Sequence, residues 1–323
     1  MDAPQRLRGA LLVLLAASLW GTLGVFYTWG TKDFGLTPVA VVFWRAGLTA
    51  IVMGLALGGA MPALGKGWGL LKVRSGDLVL FALFGLLGIT AFYILYIYAV
   101  LLAGAAVASV LLYTAPAWVA LMAWRWLGEK FSSRKTVALI MTFTGCALVV
   151  RVYNPALMQV NAAGILCGLG SALAYALYSI LGKVTLRRGY ATTTLTFYVY
   201  LMGAAGLFVV ALFQGPARIL SMGADPAVWG FLLVLALVQT IGAHSAYITG
   251  LRSLDAGVAS ILATFEPVVA AVLAIIVLHE RLEWPQVVGG VLILGAVLML
   301  QGSTLFKERA RRAPQVSDLP NEL

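Results

Sequence analysis

The feature that most limits this chain is a succession of apolar runs, each about 18–25 residues long, separated by short loops that hold nearly all the charge. Backbone N–H and C=O groups find no water in hydrocarbon, so a chain that crosses a bilayer must satisfy them as a helix bundle or a closed barrel. Run length selects helices, because a membrane helix needs about 20 apolar residues and a tilted barrel strand about ten. Composition agrees: 62% of the residues are hydrophobic, 11% are charged, and the mean hydropathy is +0.97. The predicted fold is an all-α integral membrane protein with ten transmembrane helices at about 9–29, 36–58, 77–98, 105–126, 135–152, 162–182, 193–214, 227–249, 256–278 and 285–302. Residues 6–30 also have the charge-then-apolar form of a signal peptide, but the segments after them are equally hydrophobic, so this is read as the first span.

A net charge of +10 in a soluble chain would suggest nucleic acid, but here the positives sit in loops beside apolar runs, where they set orientation. With the N-terminus in the cytoplasm, seventeen of the 22 Lys and Arg fall on that side and four on the other, namely Lys32, Arg151, Arg218 and Arg281. This places both termini in the cytoplasm. Arg45 belongs to neither side. Residues 303–323 are charged, then polar, and are expected to be a disordered cytoplasmic tail. Cys146 and Cys167 lie in apolar runs without metal-ligand spacing, so neither a disulfide nor a metal site is expected, and nothing implies a cofactor.

The chain repeats itself. Val107-Ala108-Ser109, Pro116 and Glu129 recur as Val258-Ala259-Ser260, Pro267 and Glu280 at a constant offset of 151 residues. Ser18-Leu19-Trp20 lies on Leu173-Ala174-Tyr175 more weakly, at an offset of 155. Two halves follow, 1–157 and 158–302, of five helices each. An odd number of spans per half inverts the second half relative to the first, which is the arrangement of many secondary transporters, with a site near the midplane reached alternately from each face.

Three sets of residues, Ala108-Ser109 through Thr114-Ala115-Pro116 to Leu127-Gly128-Glu129-Lys130, the parallel Ala259-Ser260 through Phe265-Glu266-Pro267 to Leu278-His279-Glu280-Arg281, and the closing Gly289-Gly290 with Gly295, resemble the drug/metabolite transporter superfamily and its EamA-like ten-helix members. The resemblance covers residues 9–302. It departs at His279, where the family commonly has Gly. It implies a central cavity between the halves, small-molecule transport, and export as the direction.

Arg45 and Glu266 each lie about nine or ten residues into a span, where a charge costs about 2.5–3.5 kcal/mol on insertion scales and needs a partner or a wet cavity. Two roles stay open: Arg45 pairs with Glu266 or with a carbonyl and holds the bundle together, or Glu266 binds a substrate ammonium or a coupling proton. Pro116 and Pro267 each withdraw a backbone donor and free a carbonyl one turn earlier, which predicts helix breaks. Tyr93 and Tyr96 share a face, and His244 and Tyr247 occupy the same places in the second half. Such aromatic faces suit an amine or amino acid, or simply pack. Gln239 is one turn from His244. Trp20, Trp44, Tyr113, Tyr175, Tyr178 and Tyr200 are further candidates to line a cavity, and Tyr98 suits an interfacial belt. Glu129 and Glu280, beside Lys130 and Arg281, read as solvated anchors at the bilayer edge.

The expected function is therefore alternating-access transport of small zwitterionic or amine metabolites, amino acids first, across the cytoplasmic (inner) membrane. The alternative is proton-coupled transport of lipophilic or quaternary-amine cations. An enzyme is not expected, because residues 279–283 read His-Glu-Arg-Leu-Glu without the second His of a zinc protease, and neither a Gly-x-Ser-x-Gly elbow nor a phosphate-binding P-loop is present.

Overall fold

The computed structural model describes residues 3–60, 68–157, 161–215, 225–278 and 282–312. His279, Glu280 and Arg281 lie outside the described residues, as do Lys66, Arg218 and residues 313–323. Among the described residues the chain is helical and has no strand. The helices are α1 (Ala3–Gly21), α2 (Leu23–Lys32), α3 (Pro38–Leu55), α4 (Leu78–Gly85), α5 (Phe92–Leu112), α6 (Ala115–Leu127) and α7 (Ser133–Val149), then α8 (Ala162–Arg187), α9 (Thr192–Gln214), α10 (Pro226–Val234), α11 (Ala243–Leu251), α12 (Ala256–Ala263), α13 (Glu266–Leu278) and α14 (Trp284–Arg312). The last of these runs ten residues beyond the expected end of the tenth span.

Among the described residues seven stretches are long and apolar enough to cross a membrane: Pro4–Gly30, Pro38–Gly59, Ser75–Leu112, Ala162–Arg187, Thr192–Phe213, Pro226–Leu251 and Ala256–Val277, with Trp284–Leu300 a shorter apolar helix. Ser75–Leu112 has 38 residues. At 1.5 Å per residue that is about 57 Å, nearly twice the hydrocarbon core. It is cut at Gly104, whose φ of 82° takes it out of the helix, so the fourth expected helix starts there.

Local chemistry sets the ends. Thr37 Oγ1 accepts the Ala40 N–H at 3.2 Å ahead of Pro38, Ser132 Oγ accepts from Lys135 N at 3.3 Å, and Asn161 Oδ1 accepts from Ala163 N and Gly164 N at 2.9 and 3.2 Å. Gly128 ends α6 in the left-handed conformation, φ 71°. The breaks expected from Pro116 and Pro267 fall at Tyr113-Thr114 and Thr264-Phe265. A proline ring clashes with the carbonyl four residues back, and those residues, Leu112 and Ala263, are the last of α5 and α12. Tyr113 (φ −71°, ψ 1°) and Thr264 (φ −69°, ψ 5°) repeat the same backbone at the 151 offset. Wide π turns at Leu86–Ala91 and Leu235–Gly242 join α4 to α5 and α10 to α11, again in matching places.

The helices pair α5 on α8, α14 on α7, α3 on α9 and α1 on α11. Small residues let backbones meet where lipid offers no hydrophobic drive between helices. A Cβ on Gly145 would stand 2.7 Å from the Gly289 carbonyl, and one on Gly289 would stand 2.5 Å from that of Gly145. Phe81, Phe84, Tyr200 and Tyr247 fill the centre, whereas Leu55, Leu166, Phe213 and Leu298 are turned outward, as a bilayer requires.

Candidate functional site

Glu266 opens α13 directly after the break at Thr264-Phe265, half-buried, its carboxylate beside the positive end of that helix's dipole. Among the described residues it takes no hydrogen bond and no ion pair. It lies within electrostatic reach of Tyr96, Tyr113 and Tyr175 and of the buried Cys146. Tyr96 is held by Ser109, its hydroxyl 3.2 Å from Ser109 Oγ, and stacks on Phe92 at 6.2 Å. Phe92 in turn lies 6.1 Å from Tyr175. One carboxyl group thus lies within electrostatic reach of tyrosines contributed by α5, α8 and the α5–α6 break.

Arg45 does not pair with Glu266. The residue is 3% exposed, its Nη2 donates to the Tyr93 hydroxyl and its Nη1 to that of Tyr27 at 3.4 Å, and its Cζ sits 4.8 Å above the Tyr93 ring. Phenol oxygens and a ring face answer the charge, where a carboxylate or a carbonyl had been the open alternatives. The bundle is therefore not tied by the open alternative of an Arg45–Glu266 bridge, because each charge belongs to a different cluster.

Between the two clusters runs an aromatic wall. Trp20 lies 6.4 Å from Tyr175, 5.0 Å from His244 and 5.5 Å from Tyr247. His244 Nδ1 is 2.8 Å from the Tyr178 hydroxyl, and the Tyr247 hydroxyl is 2.8 Å from Ser179 Oγ. Tyr200 is packed edge-on to His244 at 5.3 Å. Gln239, 1% exposed, lies in the second π turn, donates Nε2 to Thr22 Oγ1 at 3.2 Å and leaves its Oε1 without a hydrogen bond. The structure thus brings Trp20, Tyr175, Tyr247 and His244 together, sets Tyr96 with Glu266 and Tyr93 with Arg45, and places Gln239 at the junction of α1 and α2. Trp44 faces away, edge-on to Trp229 at 4.7 Å. Pro116 is buried at the start of α6 and Pro267 at that of α13.

Sequence reasoning missed Tyr27 and Ser179, which sit at no repeated position, and read Ser109 only as part of the repeat and not as a partner of Tyr96. It also misread Glu129, which is not a solvated anchor: it is 8% exposed, and its carboxylate accepts the Ala256 N–H at 2.6 Å and the Gly257 N–H at 3.3 Å. Its spacing from the turn at Gly128 was legible, but its partners lie more than 120 residues away. Among the described residues no group of three His, Cys, Asp or Glu could hold a metal ion.

The sequence profile described as the EamA-like transporter family matches twice, over residues 7–151 and 162–301. An uncharacterized inner membrane transporter of Salmonella typhimurium, YicL, is 27% identical over 318 residues, 95% of this chain and 98% of its own. An uncharacterized transporter of Archaeoglobus fulgidus is 24% identical over 292 residues, 90% of this chain and 98% of its own. A chain of known crystal structure shares the fold at a TM-score of 0.73 and 19% identity, covering 94% of this chain and 98% of that one. This is a multi-pass membrane protein whose chain belongs to the EamA-like transporter family.

Proposed function

We propose that the protein is a secondary transporter that moves small zwitterionic or amine metabolites, amino acids first, across the cytoplasmic membrane by alternating access, with Glu266 as the site for the substrate ammonium or a coupling proton. The observation that carries this is the half-buried Glu266 carboxyl, which has no hydrogen bond or ion pair among the described residues and sits at a helix break within electrostatic reach of Tyr96, Tyr113 and Tyr175. A carboxyl group in that setting needs a cation or a proton. Rings such as Trp20 and Tyr175 add about 0.5–2 kcal/mol for a cation over their faces.

The inverted five-helix halves, 1–157 and 158–302, are part of the same reading. The profile that fits each half in turn, the matching π turns and the matching breaks at Tyr113 and Thr264 support them. So do the pairs α3–α9 and α7–α14, each of which joins corresponding helices. The reading takes the ten spans, cytoplasmic termini and export direction as expected above.

Counterflow in proteoliposomes tests it. Vesicles loaded with unlabelled solutes are given labelled amino acids or quaternary amines, with Glu266→Gln beside the parent protein. Saturable exchange of zwitterions, reduced at least about tenfold in the variant, is the expected result. Exchange of cations alone would move the assignment to a multidrug type. Equal exchange by parent and variant would remove Glu266 from the site.

A further inference from the structure

We propose that Glu129 is a clamp that holds one end of the bundle shut, and that its release is a step in the transport cycle; this rests on the transporter reading above. The end in question is that of the N-terminus, since Gly9 of α1 lies against Gly250 and Ser253.

The clamp is built from the first half onto the second. The left-handed turn at Gly128 throws Glu129 across to α12, where one carboxylate takes two of the N–H groups that open the helix, those of Ala256 and Gly257. A helix normally receives such bonds from its own N-cap residue. Asp255, in that position, makes no cap bond and instead binds Lys135 Nζ at 2.8 Å. Lys135 also stands 3.6 Å from Glu129, and Arg187 reaches back to the Leu127 carbonyl with both Nη atoms at 3.2 Å. Four charged side chains and three backbone groups of the two halves therefore meet at one seam.

The seam is joined to the candidate site by a short rigid lever. α12 has eight residues, about 12 Å of helix, and its far end is the break at Thr264-Phe265 that sets Glu266 in place. Whatever frees the grip at Ala256 frees the element that positions Glu266. Glu129 is thus a positioning residue, acting through α12.

The bonds suit a device that opens and closes. A surface depression lined by Trp124, Gly128, Glu129, Lys130 and Phe131 adjoins the clamp, so water can take over the carboxylate and both N–H groups as they part. The contact of Gly145 with Gly289 between α7 and α14 has no such substitute, because its complementarity is steric. The polar seam is the part of the interface that can exchange partners at low cost, and the glycine contact is the part that stays.

The test uses full-length protein carrying Cys146→Ala and Cys167→Ala, with Lys135→Cys and Asp255→Cys bridged by a short bifunctional methanethiosulfonate. Bridging is expected to lower amino-acid counterflow at least tenfold, with recovery when the bridge is reduced. Bridging should form about tenfold more slowly in Glu129→Ala, and at an intermediate rate in Glu129→Gln, which keeps a carbonyl acceptor without the charge. Full-rate exchange by the bridged protein, or a bridging rate indifferent to Glu129→Ala, would overturn the proposal. A purely structural Glu129 would lower the melting temperature when replaced and leave the bridging rate unchanged, and a purely structural seam would give no arrest that reduction reverses. Absence of exchange in the unbridged parent would count against the transporter reading instead, and the bridging rates, which need no substrate, would separate the two failures.

Discussion

Arg45 carries a full charge at 3% exposure and meets phenols, neither the carboxylate nor the carbonyl that were its open alternatives. Its five donors are only partly used, since Nε has no hydrogen bond, so each remaining acceptor matters more than in a saturated network. Tyr93→Phe removes the acceptor at Nη2 while keeping the ring beneath the guanidinium. Loss of about 1–3 kcal/mol of stability is expected, read as a lower melting temperature in detergent. Were the ring face the main support, the same variant would melt with the parent. At this scale the sequence told where a charge sat and not what answered it. The depth of Arg45 and Glu266 was plain from counting along a span, but their partners are set by the rotation of one helix against another. Tyr27 is 18 residues from Arg45, Glu129 is 127 from Ala256, and no spacing rule links either pair.

Among the elements, the breaks in the fourth and ninth expected helices were readable because a proline acts on its own chain: the clash is four residues back, wherever the helix packs. The π turns and the interruption between α1 and α2 at Thr22 were not, since they answer to neighbours, as Gln239 of one π turn answers to Thr22. The glycines show the same division. Gly289 and Gly290 look alike in the sequence, yet a Cβ at 289 would press within 2.5 Å of the Gly145 carbonyl, whereas one at 290 meets nothing within 4 Å. Gly289→Ala should therefore cost about 1–3 kcal/mol by forcing α14 off α7. Gly290→Ala should be neutral, or gain up to about 1 kcal/mol from helix propensity. Melting temperatures of the two proteins, purified side by side, check this, and equal values would mean that the α7–α14 contact is slack.

For the whole molecule, the repeat read from the residues accounts for the profile matching once in each half and for the way breaks and π turns recur. It does not by itself fix how many helices cross. α7 has 17 residues, about 25 Å, slightly short of a hydrocarbon core of about 30 Å. If α7 crosses, each half has an odd number of spans and the second is inverted. If it lies along the surface, the halves become parallel and the symmetry argument for alternating access fails. The charges favour crossing, since Arg134 and Lys135 at its start belong to a strongly basic face and the ion pair of Arg151 with Glu283 closes its other end. Two single cysteines decide it, each placed in protein lacking Cys146 and Cys167: Lys130→Cys before α7 and Ala156→Cys after it, both at exposed positions. In intact cells a membrane-impermeant maleimide should label position 156 at once and position 130 after permeabilisation. Labelling of both from the same side would put α7 on the surface and, with it, withdraw the inverted repeat and the clamp's role as a cytoplasmic closure.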